Sequence, residues 1–198
     1  MPHAIFVETG LSAGVAAYAA ELPGCATFAQ TDADAVAAIP HRVSGFTAWL
    51  RSAGEDAPAF VGDNWYEVER ATATPDARAA FSLDELPPSD DEFARFLRWL
   101  DLAREELADA LDARGPEAAP DVLDAIATQD ALFTRALGGS VPMDGSDPID
   151  RLYANRQALS DVLEAAGPAA DGVRRVLRIA IADDLHAADR LRGGEAPR

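Results

Sequence analysis

The sequence predicts an α+β chain: a small α/β unit of three or four strands and one helix, then a four-helix bundle with one long crossover. Three observations carry that expectation. Before residue 72, short runs rich in aromatic and β-branched residues alternate with turn signals. After residue 89, four long segments each repeat apolar residues at helical spacing. Capping residues and Gly/Pro breaks separate those segments. The boundaries so read are an α/β unit over 1–72, a linker over 73–88, the bundle over 89–192 and a flexible tail over 193–198.

In the first unit, His3 to Glu8 (HAIFVE), Val15 to Ala20 (VAAYAA) and Cys25 to Ala29 (CATFA) read as strands. Leu22-Pro23-Gly24 is a turn, because proline fixes φ and glycine permits positive φ. Thr31 is placed to cap a helix, with Asp32 and Asp34 favouring its positive end. Ala35, Ile39, Val43, Phe46 and Leu50 follow at helical spacing. Pro40 falls inside that run, so the helix either kinks there or its first segment ends early. After Gly62-Asp63-Asn64, Trp65 to Ala71 (WYEVERA) reads as a fourth strand. Its alternation puts Trp65, Glu67 and Glu69 on one face and Tyr66, Val68 and Arg70 on the other.

Phe81 to Pro88 (FSLDELPP) reads as a linker or docking arm that leads into a strong helix start. There Ser89 is the cap and Glu92 follows three residues on. The first bundle helix places Phe93, Phe96, Leu97, Leu100, Leu107 and Leu111 on one stripe and ends at Gly115-Pro116. The second starts near Pro120-Asp121 and carries Leu123, Ile126, Phe133 and Leu137. The third follows Asp147-Pro148 with Ile149, Leu152, Leu159 and Leu163, and stops at Gly167-Pro168. The fourth runs from about Asp171 to Leu191 on Val173, Leu177, Ile181, Leu185 and Ala188. Four such stripes are buried most economically against one another. Short turns make the first and second helices, and the third and fourth, antiparallel neighbours. Gly138 to Asp147 (GGSVPMDGSD) is long enough to cross the end of the bundle.

Composition narrows the function classes. The net charge is −17, and the 17 lysine-plus-arginine positions are all arginine. Such acidity repels nucleic acid and anionic membrane, so neither is expected as a partner. A basic protein or a cation is the natural electrostatic partner, and a homo-oligomer is expected. With Cys25 the single cysteine, no intramolecular disulfide forms, and a buried, inert thiol is expected. His41 reads as a surface residue on its helix. No signal-like amino terminus and no apolar run of about 20 residues is present, which points to a cytoplasmic protein. No glycine-rich phosphate loop, nucleophile elbow or paired-carboxylate motif marks a catalytic centre.

Tyr18 to Cys25 (YAAELPGC), then Thr31 and a helix opening Asp32-Ala33-Asp34-Ala35, resemble the HicB-like fold over about residues 3–53. That resemblance implies a regulatory module that binds a small basic protein. The four helices resemble the DinB-like family. In it, a histidine of the second bundle helix and a His-x-x-x-His pair of the fourth converge on a divalent metal, often Zn or Ni. Side chains at i and i+4 share a helix face, and a third ligand from a neighbour completes an open site. The corresponding positions here are Ala125, Asp183 and Ala187, with His186 displaced by one residue. The resemblance therefore implies a retained scaffold with a degenerate site and no metal, and Asp183 with His186 are the candidates for a shifted site. As residues, those two read as a solvated pair on the polar side of their helix, and Arg174, Arg175 and Arg178 as helix surface.

Two charges interrupt apolar stripes: Arg104 between Leu100 and Leu107, and Asp130 between Ile126 and Phe133. A charge on such a stripe needs a partner or a cavity. Arg104 and Asp130 are expected to pair between the first two bundle helices, joined by Arg156. They form either an ion pair that sets helix register or a polar pocket that binds a small ligand. The functional expectation is a non-catalytic binding or scaffold protein. The alternatives are a metal-dependent hydrolase or thiol transferase, and a regulatory partner of a basic protein.

Overall fold

The computed structural model describes residues 3–12, 14–58, 64–74, 77–115, 120–142 and 147–193. Gly62 and Asp63 of the expected turn, Pro116, residues 143–146 of the crossover and the tail 194–198 lie outside the described residues. Among the described residues, the strands are β1 (His3–Leu11), β2 (Gly14–Ala19), β3 (Ala26–Ala29) and β4 (Trp65–Thr72). The helices are α1 (Asp32–Ser52), α2 (Asp90–Arg114), α3 (Pro120–Ala136), α4 (Pro148–Ala166) and α5 (Val173–Leu191). A 3-10 turn, Ser82–Glu85, precedes α2. The chain is thus a mixed sheet followed by helices, an α+β architecture. No described helix is long and apolar enough to cross a membrane.

The sheet has the order β3-β2-β1-β4, antiparallel except for the parallel β1–β4 pair. Residues that pair across a ladder share a face. Ile5, Val7, Ala17 and Ala19 therefore point one way and pack with Ala35, Ile39, Val43 and Phe46 of α1. Phe6, Ala16, Tyr18 and Ala26 point the other way and pack with Ala79, Phe81 and Ala182. The expected alternation in β4 breaks at Val68. Ile5 pairs with Glu67 but Phe6 pairs with Glu69, so Val68 is an extra, bulged residue. Beyond the bulge the faces swap. Arg70 then shares the face of Glu67 and bonds both Glu67 and Asp32 of α1, while Glu69 accepts from Ser82 on the opposite face.

Thr31 caps α1 by accepting from the Asp34 N–H. The helix does not end at Pro40: it continues as one element to Ser52, since a missing N–H removes a single bond and the Ile39–Val43–Phe46 stripe holds both sides. Ser89 and Glu92 form the expected capping box on α2, and Asp147 caps α4. Helix α5 starts two residues later than expected, after Gly172 in the left-handed region at φ 78°.

Helices α2 to α5 bury one core, in which Leu107 and Leu111, Leu123 and Ile126, Leu152, and Ala188 and Leu191 meet. Their closest pairs differ from the expectation. Backbones approach most closely between α2 and α5 and between α3 and α4, rather than within the pairs joined by short turns. Buried alanines on these helices, Ala103, Ala110, Ala180 and Ala188 on the first pair and Ala127 and Ala131 on the second, are compatible with such close approach. Alanine lets helix axes close in, and loop length does not override that packing.

A second cluster joins sheet to bundle without a break, running from Ile5 and Val7 through Phe46 to Trp99, Leu100, Leu177 and Ile181. The segment read as a linker or docking arm packs as an arm, with Ala79, Phe81 and Asp84 buried. Helix α5 is consequently buried almost all round. Its contact with the Leu22-Pro23-Gly24 turn is tight: Gly24 has φ +88°, and a Cβ there would overlap the Ile181 side chain. Gly24→Ala is expected to cost about 2–4 kcal/mol, from backbone strain plus overpacking. A urea melt of the full chain checks it, and an unchanged midpoint refutes the contact.

Candidate functional site

Glu8 is fully buried in β1, on the sheet face away from α1. Its carboxylate accepts from Arg78 Nε and Nη2 at 3.0 Å each, from the Tyr18 hydroxyl at 2.7 Å and from the Ala79 N–H at 2.6 Å. Burial alone would raise this group. The hydrogen bonds and charge of Arg78, with Ala79 and Tyr18, outweigh that and hold it below the usual carboxylate range. Arg78 also reaches α5: its Nη1 donates to both oxygens of Asp183, at 3.0 and 2.8 Å. One guanidinium therefore ties the sheet to the last helix.

A second arginine lies beside it. Arg178 of α5 donates from Nε and Nη2 to Asp84 at 3.1 and 2.7 Å, and from Nη2 to the Ala79 carbonyl at 2.9 Å. Its guanidinium lies 4.5 Å from the Tyr18 ring centre and 4.7 Å from that of Phe81. The expectation of a helix-surface arginine is corrected at this position, because the arm covers that side of α5. Arg174 is likewise engaged, donating to the Leu86 carbonyl and pairing with Glu92.

In the bundle interior, Arg104, Asp130 and Arg156 do come together, but not as the expected pair. Arg156 of α4 stands between two acids, bonded to Asp184 of α5 and 3.6 Å from Asp130 of α3. Arg104 of α2 donates instead to Ser160 of α4 and influences Asp130 only through its charge. Arg104 Nε and Nη2 and Asp130 Oδ2 are buried without hydrogen-bond partners. Burial, then the charge of Asp184, push Asp130 up to about 7 against the pull of Arg156 and Arg104. The interior thus holds a carboxyl that keeps its proton to higher pH than it would in the unfolded chain.

The three positions implied as metal ligands converge. Ala125, Asp183 and Ala187 line a cavity of about 430 Å³ between α3, α5, the β1–β2 turn and Phe28 of β3. His186 lines it too, its ring stacked on Phe28 at 4.1 Å. The solvated Asp183–His186 pair is corrected: Asp183 is held by Arg78, and His186 packs against the sheet. Burial, then Arg190, Arg42 and Arg78, push His186 down to about 4, so its ring is neutral at pH 7. These residues do not fit a divalent metal. Two positions have no donor atom, and both Asp183 oxygens already accept from a fixed cation. No group of three His, Cys, Asp or Glu suited to a metal occurs among the described residues. Cys25 is fully buried and its thiol is pushed up to about 12 by burial, so it offers no thiolate.

Sequence reasoning missed Asp184, Arg78 and Glu8. Asp184 had a signal, since it sits four residues after Ala180, seven after Leu177 and four before Ala188 on the buried stripe of α5. Arg78 had none, because nothing local distinguishes it from a linker arginine.

Two outcomes follow from these networks. Arg78→Met leaves Glu8 buried without its counter-charge and is expected to cost about 3–5 kcal/mol in a denaturant melt. A loss under about 1 kcal/mol would show the clamp to be unimportant. For Asp130, the folded state holds the proton more tightly than the unfolded chain, so its contribution to stability falls as pH rises from about 4 to 7 and is lost above that. Asp130→Asn carries no such proton. The wild type minus Asp130→Asn difference in Tm should therefore drop between about pH 4 and pH 7, and a flat difference argues against the assignment.

No protein-family model matches this chain, and no characterised protein or solved structure is significantly similar to it.

Proposed function

We propose that this chain is a non-catalytic binding protein that takes a small ligand in the cavity between α3, α5 and the sheet. One observation supports it above the others. Ala125, Asp183 and Ala187 line a single cavity, yet two carry no donor and the third is committed to Arg78. The volume, about 430 Å³, falls in the usual range of small-molecule pockets, roughly 300–1,000 Å³. Its wall mixes apolar Leu11, Phe28 and Ile126 with polar and charged side chains, among them Gln129, His186 and Arg190. On this reading Arg78 does the charge balancing that a bound cation would do, and the bundle serves as scaffold.

Metal analysis of full-length protein purified without an affinity tag tests the non-catalytic part. Zn, Ni and Mn are each expected far below stoichiometric amounts. Stoichiometric retention of any of them through dialysis would sink the reading in favour of a metal-dependent enzyme.

A further inference from the structure

We propose that the cavity accepts a small organic acid, with its carboxylate against Arg190, His186 and Gln129 and its apolar body against Phe28 and Ile126. This rests on the binding role proposed above and adds the ligand's chemistry.

The charged groups deepest in the cavity wall are already spent. Arg78 uses Nε on Glu8, Nη1 on both oxygens of Asp183, and Nη2 on Glu8 and Tyr18. All three Arg78 nitrogens are engaged, and each Asp183 oxygen already accepts from that guanidinium, so this pair's charge is balanced within the protein. What remains are wall side chains that make no hydrogen bond or ion pair among the described residues. Arg190 offers a guanidinium, Gln129 an amide, and His186 one N–H and one ring acceptor. Each of the three can donate to a carboxylate oxygen. The charges that act most strongly on His186 are Arg190, Arg42 and Arg78, all cations. Arg42 and Arg78 are already paired with carboxylates, so among the described residues Arg190 is the unpaired cation of this wall and the group that would attract an anion. The chain's net charge of −17 opposes this only at long range, and salt screens it beyond roughly 8 Å at physiological strength.

The rest of the wall limits the acid's form. Phe28, stacked on His186, and Ile126 supply apolar surface to the same cavity. Asp121 stands free on the same wall and is exposed. A second negative charge on the ligand would meet it, which favours a monoacid over a diacid.

The test titrates isotope-labelled full chain, followed by NMR, with phenylacetate, phenylacetamide and phenethylamine. Two variants run in parallel, Arg190→Gln and Ala125→Trp; both positions are exposed, so both variants are expected to fold. Phenylacetate should shift the His186 and Gln129 side-chain signals at millimolar concentration or below, with the amide at least about tenfold weaker. Arg190→Gln should weaken the acid about tenfold and leave the amide unchanged, and Ala125→Trp should abolish both. An amide or amine that binds as tightly as the acid, and is lost in Ala125→Trp, overturns the acid assignment while leaving the pocket a binding site. If none of the probes moves a cavity signal up to about 10 mM, both the acid assignment and the small-ligand reading fall.

Discussion

A single guanidinium organises this molecule. Arg78 sits where the sheet, the arm before α2 and the last helix meet, and it answers two carboxylates that would otherwise be stranded. Glu8 could not be fully buried without it, since an unpaired buried carboxylate gives up its charge or opens the structure. Arginine suits the task better than lysine would. Its planar fork bonds Glu8 along the Nε–Nη2 edge and Asp183 through Nη1, and it stays charged at any physiological pH. The neighbouring Arg178–Asp84 pair repeats the device with aromatic rings as one wall.

The cavity follows from that arrangement. Because Arg78 draws α5 against the sheet, the helix presents Asp183, His186 and Ala187 to the strands as well as to α3. Alanine at 125 and 187 leaves open what larger side chains would fill. Phe28 supplies the facing wall from the short edge strand. The site is therefore shared between the sheet and the helices, and neither part would form it alone.

Much of the architecture was legible beforehand because it is written in local signals. Thr31, Ser89 with Glu92, and Asp147 each mark a helix start with a side chain that caps it. The apolar stripes found the right helices, and the charges interrupting them found the polar interior around Arg156. What escaped was long-range. The Val68 bulge depends on how β4 meets β1, and the close α2–α5 and α3–α4 pairs depend on how whole helix faces fit across the bundle. Asp183, His186 and Arg178 were read as surface because α5 looks amphipathic from its own pattern. Its second face is covered by elements more than 90 positions away, as the bonds from Arg178 to Asp84 and Ala79 record. Arg78 could not be singled out at all, since its role exists only once Glu8 and Asp183 are side by side.

The spacing of the Arg78 partners also bears on how the chain matures as it leaves the ribosome. Arg78 and Asp183 lie 105 positions apart in the chain. At about 5–20 residues per second, roughly 5–20 s pass between the synthesis of the two. During that interval β1 and β2 can pair and α1 can cover one side of the sheet. The side bearing Phe6, Glu8 and Tyr18 can take the arm, with Ala79 and Phe81, early, but its cover is completed only by Ala182 and Asp183 of α5. A nascent chain therefore carries an unfinished apolar surface for several seconds, which is the kind of surface a chaperone recognises. Assembly is set by the arrival of its last helix, whatever the speed at which the hairpin forms.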